Sequence, residues 1–235
     1  MSILKNELRV GNFTSSECYK LMTNGKEKGT MGKPALEYIV EKNMERRLKL
    51  PLGSSGELPA LSWGHLMERY VFEELGIKYK LTSSDTIQHP SIPYWVGSPD
   101  GSRDEAVMDL KNPYTRKSFC ELVDAETMEG IRNNHKDGDK FYWQLVSNAI
   151  LLGVDEAELI VYCPYKSEIK KIREFAEQYN GEFNLNWMNY KEDDAMPFIL
   201  DGGHYKNLNI FHFPVTDEAI QALTDRMVQA GRLLE

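Results

Sequence analysis

Apolar and polar positions follow two rhythms along this chain. Residues 106–111 (AVMDLK) and 158–163 (ELIVYC) carry short apolar or alternating runs, the pattern of strands buried in a sheet. Thr86–His89, Tyr94–Gly97 and Leu208–Phe213 read as further strands. The Asp100-Gly101 turn region is expected to join Tyr94–Gly97 to Ala106–Lys111 as an antiparallel hairpin.

Helical spacing marks the other segments. Pro34 opens a charged helix running to about Leu50, with Leu36, Ile39, Val40 and Met44 expected as its buried stripe. Trp63 to Leu75 reads as a helix ended by Gly76, packing through Leu66, Tyr70 and Leu75. Residues 116–131, Lys140–Leu152 (stopped by Gly153), Ile169–Tyr179 and Thr216–Leu234 complete the set. Ser15 or Ser16 is expected to cap a short helix over 17–22, and residues 180–204 yield no assignment. Helices come first, then strands, then alternating helix and strand, with no internal repeat, low-complexity tract or linker. That order predicts one α/β domain over residues 1–235, a mixed central β-sheet flanked by helices, with a helical N-terminal segment over about residues 1–60.

Composition narrows the function classes. A chain of 235 residues, 41% hydrophobic and 27% charged, is ordinary globular protein able to bury a full core. No apolar run approaches the roughly 18 residues of a membrane span, and the first residues carry no signal-peptide core, so a cytoplasmic protein is expected. Cys18, Cys120 and Cys163 form no C-x-x-C pair, which disfavours a four-cysteine metal cluster or a disulfide framework. The net charge of −8 argues against a polyanion partner, but it is unevenly spread: +4 over residues 1–50, −5 over 51–150 and −7 over 151–235. Acidic residues gathered in a metal site also lower net charge without repelling DNA, because bound cations cancel them.

The candidate chemistry lies in Gly97-Ser-Pro-Asp-Gly101 and Val107-Met-Asp-Leu-Lys-Asn-Pro113. Side chains alternate across a strand, so Asp109 and Lys111 share one face with Val107 while Met108 and Leu110 take the other. Asp100 can approach Asp109, and two convergent carboxylates suit a hard divalent cation such as Mg²⁺. The neighbouring lysine can orient or deprotonate a water, or neutralise charge developing on a phosphate. Taken alone, Asp-x-Lys on a strand is more often a surface ion pair and Pro-Asp only a turn.

Four motifs occur in one order: Arg9-x-Gly11-x-Phe13-Thr14-x-Ser16-Glu17, Trp63-Gly64-x-x-x-Glu68, Gly97-Ser98-Pro99-Asp100-Gly101 and Asp109-x-Lys111-x-Pro113. The series resembles the phage lambda exonuclease family, also called YqaJ-type viral recombinases, of the PD-(D/E)XK nuclease superfamily. The resemblance spans about residues 9–163 and implies a restriction-endonuclease-like core. It implies a metal-dependent 5′→3′ exonuclease degrading linear double-stranded DNA from 5′-phosphorylated ends in phage-type recombination. Two Mg²⁺ ions per site would be held by Asp100, Asp109, the Leu110 carbonyl and Glu68, with Mn²⁺ as a substitute. Lys111 would help activate the attacking water.

By the same resemblance Arg9, Ser16 and Ser98 would bind the terminal 5′-phosphate, the N-terminal segment contributing that pocket. The guanidinium fork and a hydroxyl at a helix start suit an anion independently. Gln144 matches the first glutamine of a Gln-x-Gln pair whose second position is Val146 here; it contacts phosphate or is a satisfied core amide. Asp109 stands where the family often has glutamate. Resemblance further implies a ring-shaped homotrimer and a single-strand annealing protein as partner.

Alternatives remain at this point: a structure-specific or restriction-like endonuclease of the same fold, or a non-catalytic DNA-binding module. A basic groove is expected from Arg9, Lys20, the 26–33 loop, Arg116 and Lys117. His65, His89, His135, His204 and His212 show no paired ligand spacing and read as surface or packing residues, although His65 shares a helix face with Glu68. The run Phe141-Tyr142-Trp143 reads as core, and no phosphate-binding Gly-Lys-Ser/Thr loop exists.

Overall fold

The computed structural model describes residues 4–27, 29–53, 58–74, 86–103 and 105–235. Its central sheet has the order β4-β5-β6-β7, formed by Gly101–Ser102, Ala106–Lys111, Glu156–Tyr162 and Leu208–Pro214. β5 and β6 run parallel, whereas β4–β5 and β6–β7 are antiparallel, so the sheet is mixed as expected. Strand alternation sorts its side chains into two cores. Val107, Leu159 and Val161 pack on one side with α5 (Gly138–Leu152) and α7 (Asp217–Gly231). Met108, Leu110, Ile160 and Tyr162 pack on the other with α2 (Pro59–Glu74) and α6 (Ile169–Gln178). Long apolar strands read as expected because both faces of the sheet are covered.

A second small sheet has the order β1-β3-β2, from Phe13–Thr14, Trp95–Gly97 and Ile87–Gln88. This corrects the expected hairpin. The strand at 94–97 does not pair with β5; it joins the N-terminal β1 in parallel register, Phe13 opposite Trp95. The strand that returns along β5 is only Gly101–Ser102. Pro99 offers no backbone donor to a ladder, which suits a break in pairing between the sheets. Trp95 anchors the small sheet to the core: it is fully buried and its Nε1–H donates to Ser147 Oγ at 2.7 Å.

Helices α3 (Arg116–Val123) and α4 (Met128–Asn134) replace the single helix expected over 116–131. Glu126 takes a positive φ of 61°, and the Thr127 hydroxyl caps the second helix by accepting from Gly130 N–H at 3.0 Å. Residues 180–204 hold short 3-10 turns. The expected Leu75 packing and Gly76 stop lie outside the described residues. No helix among the described residues is long and apolar enough to cross a membrane.

Helix α1 (Lys33–Leu48) overturns its expected stripe. Ile39 is buried, but Leu36, Val40 and Met44 face outward while Tyr38, Lys42, Asn43 and Glu45 are buried. Backbone groups of the two chain ends supply the reason, since each buried one needs a partner. Glu45 Oε2 accepts from Gly11 N–H at 2.8 Å and from Lys42 Nζ at 2.9 Å. Arg46 Nε donates to Gly11 O at 2.7 Å, and Asn43 bridges Leu233 O and Glu235 N. Hydropathy period cannot register such a demand, because the partners are distant in sequence.

Gly97 is tightly enclosed. A Cβ on Gly97 would lie within 2.5 Å of Asn148 Oδ1 and Leu151 Cδ1 and closer still to Ser15 Oγ. We expect Gly97→Ala to destabilise the protein by about 1–3 kcal/mol, the usual range for overpacking. Urea denaturation with an unchanged midpoint would refute this packing.

Candidate active site

The site forms where β5 loses its neighbour. β4 pairs only Gly101 with Met108 and Ser102 with Val107, so the edge of β5 beyond Met108 is open on that side. Asp100, just before β4, fills the first gap: its Oδ2 accepts from Leu110 N–H at 2.9 Å. Asp109 and Lys111 project together as the strand alternation predicts. Lys111 Nζ stands 2.6 Å from Asp109 Oδ2, and Asp109 is 1% exposed. That contact is short as an ion pair but off the line of a hydrogen bond, so Oδ2 is buried without a hydrogen-bond donor.

Gln144 approaches from α5 on the same face. Its Nε2 donates to Asp109 Oδ1 at 2.6 Å and its Oε1 accepts from Lys111 Nζ at 3.4 Å. Gln144 therefore braces the acid–lysine pair in the protein by itself. The Lys111 ammonium also lies 5.2 Å from the Phe141 ring centroid. Glu68 comes from α2, on the opposite layer, and feels the charges of Asp109 and Lys111.

Electrostatics show a site short of positive charge. Burial first, then Asp109 and Glu68, push the Asp100 carboxyl well above its ordinary value; Lys111 and the Leu110 N–H oppose them. Glu68 is raised by burial and by Asp109. Burial by itself would lower the Lys111 amine, but Asp109, Asp100 and Glu68 together hold it above its ordinary value. Lys111 is thus an ammonium at neutral pH. Three carboxyl groups crowd one ammonium at this edge, and the raised Asp100 and Glu68 are the consequence.

These features fit a hard divalent cation. All side-chain donors are carboxylate oxygens, and Asp109 Oδ2 is buried with the Lys111 ammonium as its partner at 2.6 Å. As they stand, no three His, Cys, Asp or Glu side chains among the described residues are grouped so as to hold a metal ion. Asp100 is turned to the Leu110 amide and Asp109 to Gln144 and Lys111, which accounts for it.

Beside this edge lies a guanidinium–hydroxyl pocket. Arg9 donates through Nη1 to Ser98 Oγ at 3.3 Å and through Nη2 to Ser16 Oγ at 3.4 Å. The structure thus brings Arg9, Ser16 and Ser98 together, and Ser98 lies two residues before Asp100. Neither Ser15 nor Ser16 caps a helix: residues 18–22 form a 3-10 turn behind Glu17, with no side-chain cap. Ser15 is buried against Val96 O and Ser147 Oγ. The cluster is therefore built of side chains and not of a helix end.

Sequence reasoning missed Thr86 and Thr14. Thr86 Oγ1 lies 3.1 Å from Ser98 Oγ, and Thr14 Oγ1 lies 3.3 Å from Ser16 Oγ. Thr14 stood inside a quoted motif; Thr86 carried no signal, since only the β2–β3 pairing brings it there. The groove cations have local partners: Lys20 pairs with Glu17 at 2.6 Å, Lys117 with Glu121 at 3.5 Å, and Arg116 donates to Phe198 O and Asp194 O. Lys28 of the 26–33 loop lies outside the described residues. His65 stacks on Phe183 at 5.5 Å, and His212 faces Glu156 and Glu158.

No protein-family model and no curated protein sequence matches this chain. Solved structures do. The phage-related exonuclease from Haemophilus somnus 129PT superposes with a TM-score of 0.65 at 13% identity, over 94% of this chain and 92% of that one. The alkaline exonuclease LHK-Exo from Laribacter hongkongensis gives 0.59 at 16% identity, over 96% of this chain and 89% of that one. LHK-Exo in complex with dAMP gives 0.60 at 16% identity, over 97% and 91%. The chain shares the fold of these exonucleases across nearly its whole length, which agrees with the fold that the sequence resemblance implied.

The raised carboxyls have a consequence for stability. An acid whose folded pKa exceeds its unfolded value binds a proton in the folded state first, so stability falls as pH rises through that interval. In EDTA, Asp100→Asn should therefore be more stable than the parent at pH 8, with the gain shrinking towards pH 4. Urea unfolding at both pH values measures it; an equal or reversed difference would show that Asp100 is not strained by its neighbours.

Proposed function

We propose that this protein is a metal-dependent deoxyribonuclease that degrades linear duplex DNA from 5′-phosphorylated ends. The observation that carries this reading is adjacency. Ser98, which accepts from Arg9, lies two residues before Asp100, and Asp100 accepts from Leu110 N–H between Asp109 and Lys111. A terminal phosphate in the pocket would set a nearby phosphodiester at the cluster. The exonuclease fold and the ordered motifs support the same conclusion.

Asp100, Asp109, Glu68 and the Leu110 carbonyl would hold the divalent cations, Mg²⁺ first and Mn²⁺ as substitute. Bound there, the cations would supply Lewis-acid polarisation of the phosphate and a more acidic water. The remaining work belongs to the chain. Arg9 forks onto the non-reacting terminal phosphate, with Ser16 and Ser98 as hydroxyl partners. That contact converts end recognition into positioning, the part of catalysis that depends on placement. Lys111, charged and fixed by Asp109 and Gln144, faces the negative charge that grows on the phosphoryl oxygens. Gln144 is a positioning residue, acting through Asp109 and Lys111.

Gly64 adds a further sign of the substrate. It sits inside α2, one turn before Glu68, and a Cβ there would meet nothing within 4 Å. Packing therefore gives no reason for a helix-interior glycine, which weakens a helix by about 0.5–1 kcal/mol relative to alanine. Close approach of a substrate backbone is a reason. Gly64→Ala should raise stability by that amount and lower the rate of DNA degradation. A variant both more stable and fully active would remove this role.

The central test is digestion of linear duplex DNA, with and without a 5′-phosphate, beside a closed circle. We expect Mg²⁺-dependent loss of the phosphorylated linear substrate and a spared circle. Lys111→Ala should lower kcat at least about 100-fold. Arg9→Ala should erase most of the preference for phosphorylated ends while leaving slow cleavage. Cutting of the circle would identify an endonuclease, and no cleavage with Mg²⁺ or Mn²⁺ would leave only a DNA-binding protein.

A further inference from the structure

The irregular segment 180–204 is tied to both elements that carry the candidate site. Its 3-10 turn Asn186–Tyr190 sets the Trp187 ring against Trp63 of α2 at 6.3 Å and against Tyr114, beyond β5, at 5.8 Å. Trp187 Nε1–H donates to Ser62 Oγ at 3.0 Å, and Lys191 Nζ donates to Tyr114 Oη at 2.8 Å. Ser62 lies six residues before Glu68, about 9 Å along a helix. Tyr114 lies three residues after Lys111, at most about 11 Å along the chain. Stacked nucleotides rise about 3.4 Å each, so a strand leaving the site reaches this segment within a few of them.

The segment presents a ring and a cation. Tyr190 is 89% exposed, and its side chain has no hydrogen-bond or ring partner among the described residues. The other cations of the region face carboxylates: Arg173 faces Asp193 at 2.7 Å, Lys166 faces Asp194 at 2.6 Å and Arg69 faces Glu182 at 3.6 Å. Glu192 stays exposed between them. Lys191 pairs with no carboxylate among the described residues. Its ammonium lies 4.6 Å from the Tyr114 ring centroid and 5.4 Å from that of Trp187. Aromatic faces hold an ammonium in place without cancelling its charge, so it can still take an anion.

Rings that stack on bases and cations that meet phosphates are the sequence-independent means of holding unpaired nucleic acid. Paired bases are already stacked on one another, so an exposed ring gains most where bases are unpaired. Removing nucleotides from one strand of a duplex leaves the other strand unpaired at the site. Resting on the reading of this site as a nuclease, we propose that Tyr190 and Lys191, braced by Trp187 and Tyr114, form a contact site for that unpaired strand. Tyr190 stacks on a base and Lys191 takes a phosphate.

Fluorescence anisotropy in EDTA tests it, with the full-length protein and two probes: a twelve-nucleotide oligothymidylate labelled at its 3′ end, and a blunt duplex of the same length. The parent should bind the single strand with a Kd of about 1–100 μM. Tyr190→Ala should weaken that binding about 5- to 100-fold with an unchanged Tm, since the position is exposed, and Tyr190→Phe should keep the parent affinity. Lys191→Met should lower the slope of log K against log salt by about 0.7, the share of one phosphate contact on a single strand. A parent that does not bind the strand, a Tyr190→Ala variant equal to it, an equal loss on the blunt duplex, or an unchanged salt slope would each overturn the site. Digestion with Mg²⁺ separates this inference from the reading it rests on. Cleavage of duplex DNA with strand binding indifferent to Tyr190 overturns the contact site alone. Strand binding that needs Tyr190, without cleavage, supports the contact site and overturns the nuclease.

Discussion

Negative charge concentrated at the open edge of β5 is the constraint on which the rest of the site depends. β4 is two residues long, so the strand edge beyond Met108 has no neighbour, and Asp100 takes the Leu110 amide there. Asp109 is buried with Lys111 against one of its oxygens and Gln144 on the other. Removing one member of a buried charged set is far worse than leaving the set intact. Glu68 then adds a further carboxylate from the opposite layer. The arrangement is tolerable because Lys111 keeps its proton, and it is improved by any cation that enters. Local strain of this kind is the expected mark of a site built to bind and react.

The N-terminal segment depends on the same architecture at one remove. β1 pairs with β3, and β3 leads directly into Ser98 and Asp100. That pairing brings Ser16 and Arg9 to Ser98 across more than eighty residues of sequence. Helix α1 secures the approach by burying Glu45 and Asn43 against backbone groups of both chain ends. Its apolar residues are displaced outward as a result. One physical demand, the pairing of buried backbone groups, thus both positions the Arg9–Ser16–Ser98 cluster and creates an apolar surface.

Much of the fold was legible because the strands obey period two and both sheet faces are covered. β5 falls at the expected residues, and its alternation correctly placed Asp109 and Lys111 on one side with Val107. The central helix was legible from its apolar run and its Gly153 stop. The pattern failed where long-range demands outweighed local preference. The hairpin was wrong because β3 has a better partner in β1 than in β5. The α1 stripe was wrong because hydropathy counts residues and not the unpaired amides they must satisfy.

What the sequence by itself determined is the chemistry present: the acids, the lysine, the arginine and the hydroxyls, in an order that resembles a nuclease family. It determined the face on which Asp109 and Lys111 sit, because strand geometry leaves no choice. Only the tertiary structure decided which of these groups meet. It put Gln144 against Asp109, joined Thr86 to Ser98, and turned the α1 ridge to solvent. The reason is physical: residue type and periodicity act over a few residues, whereas burial, charge compensation and backbone pairing act between segments that only folding brings together.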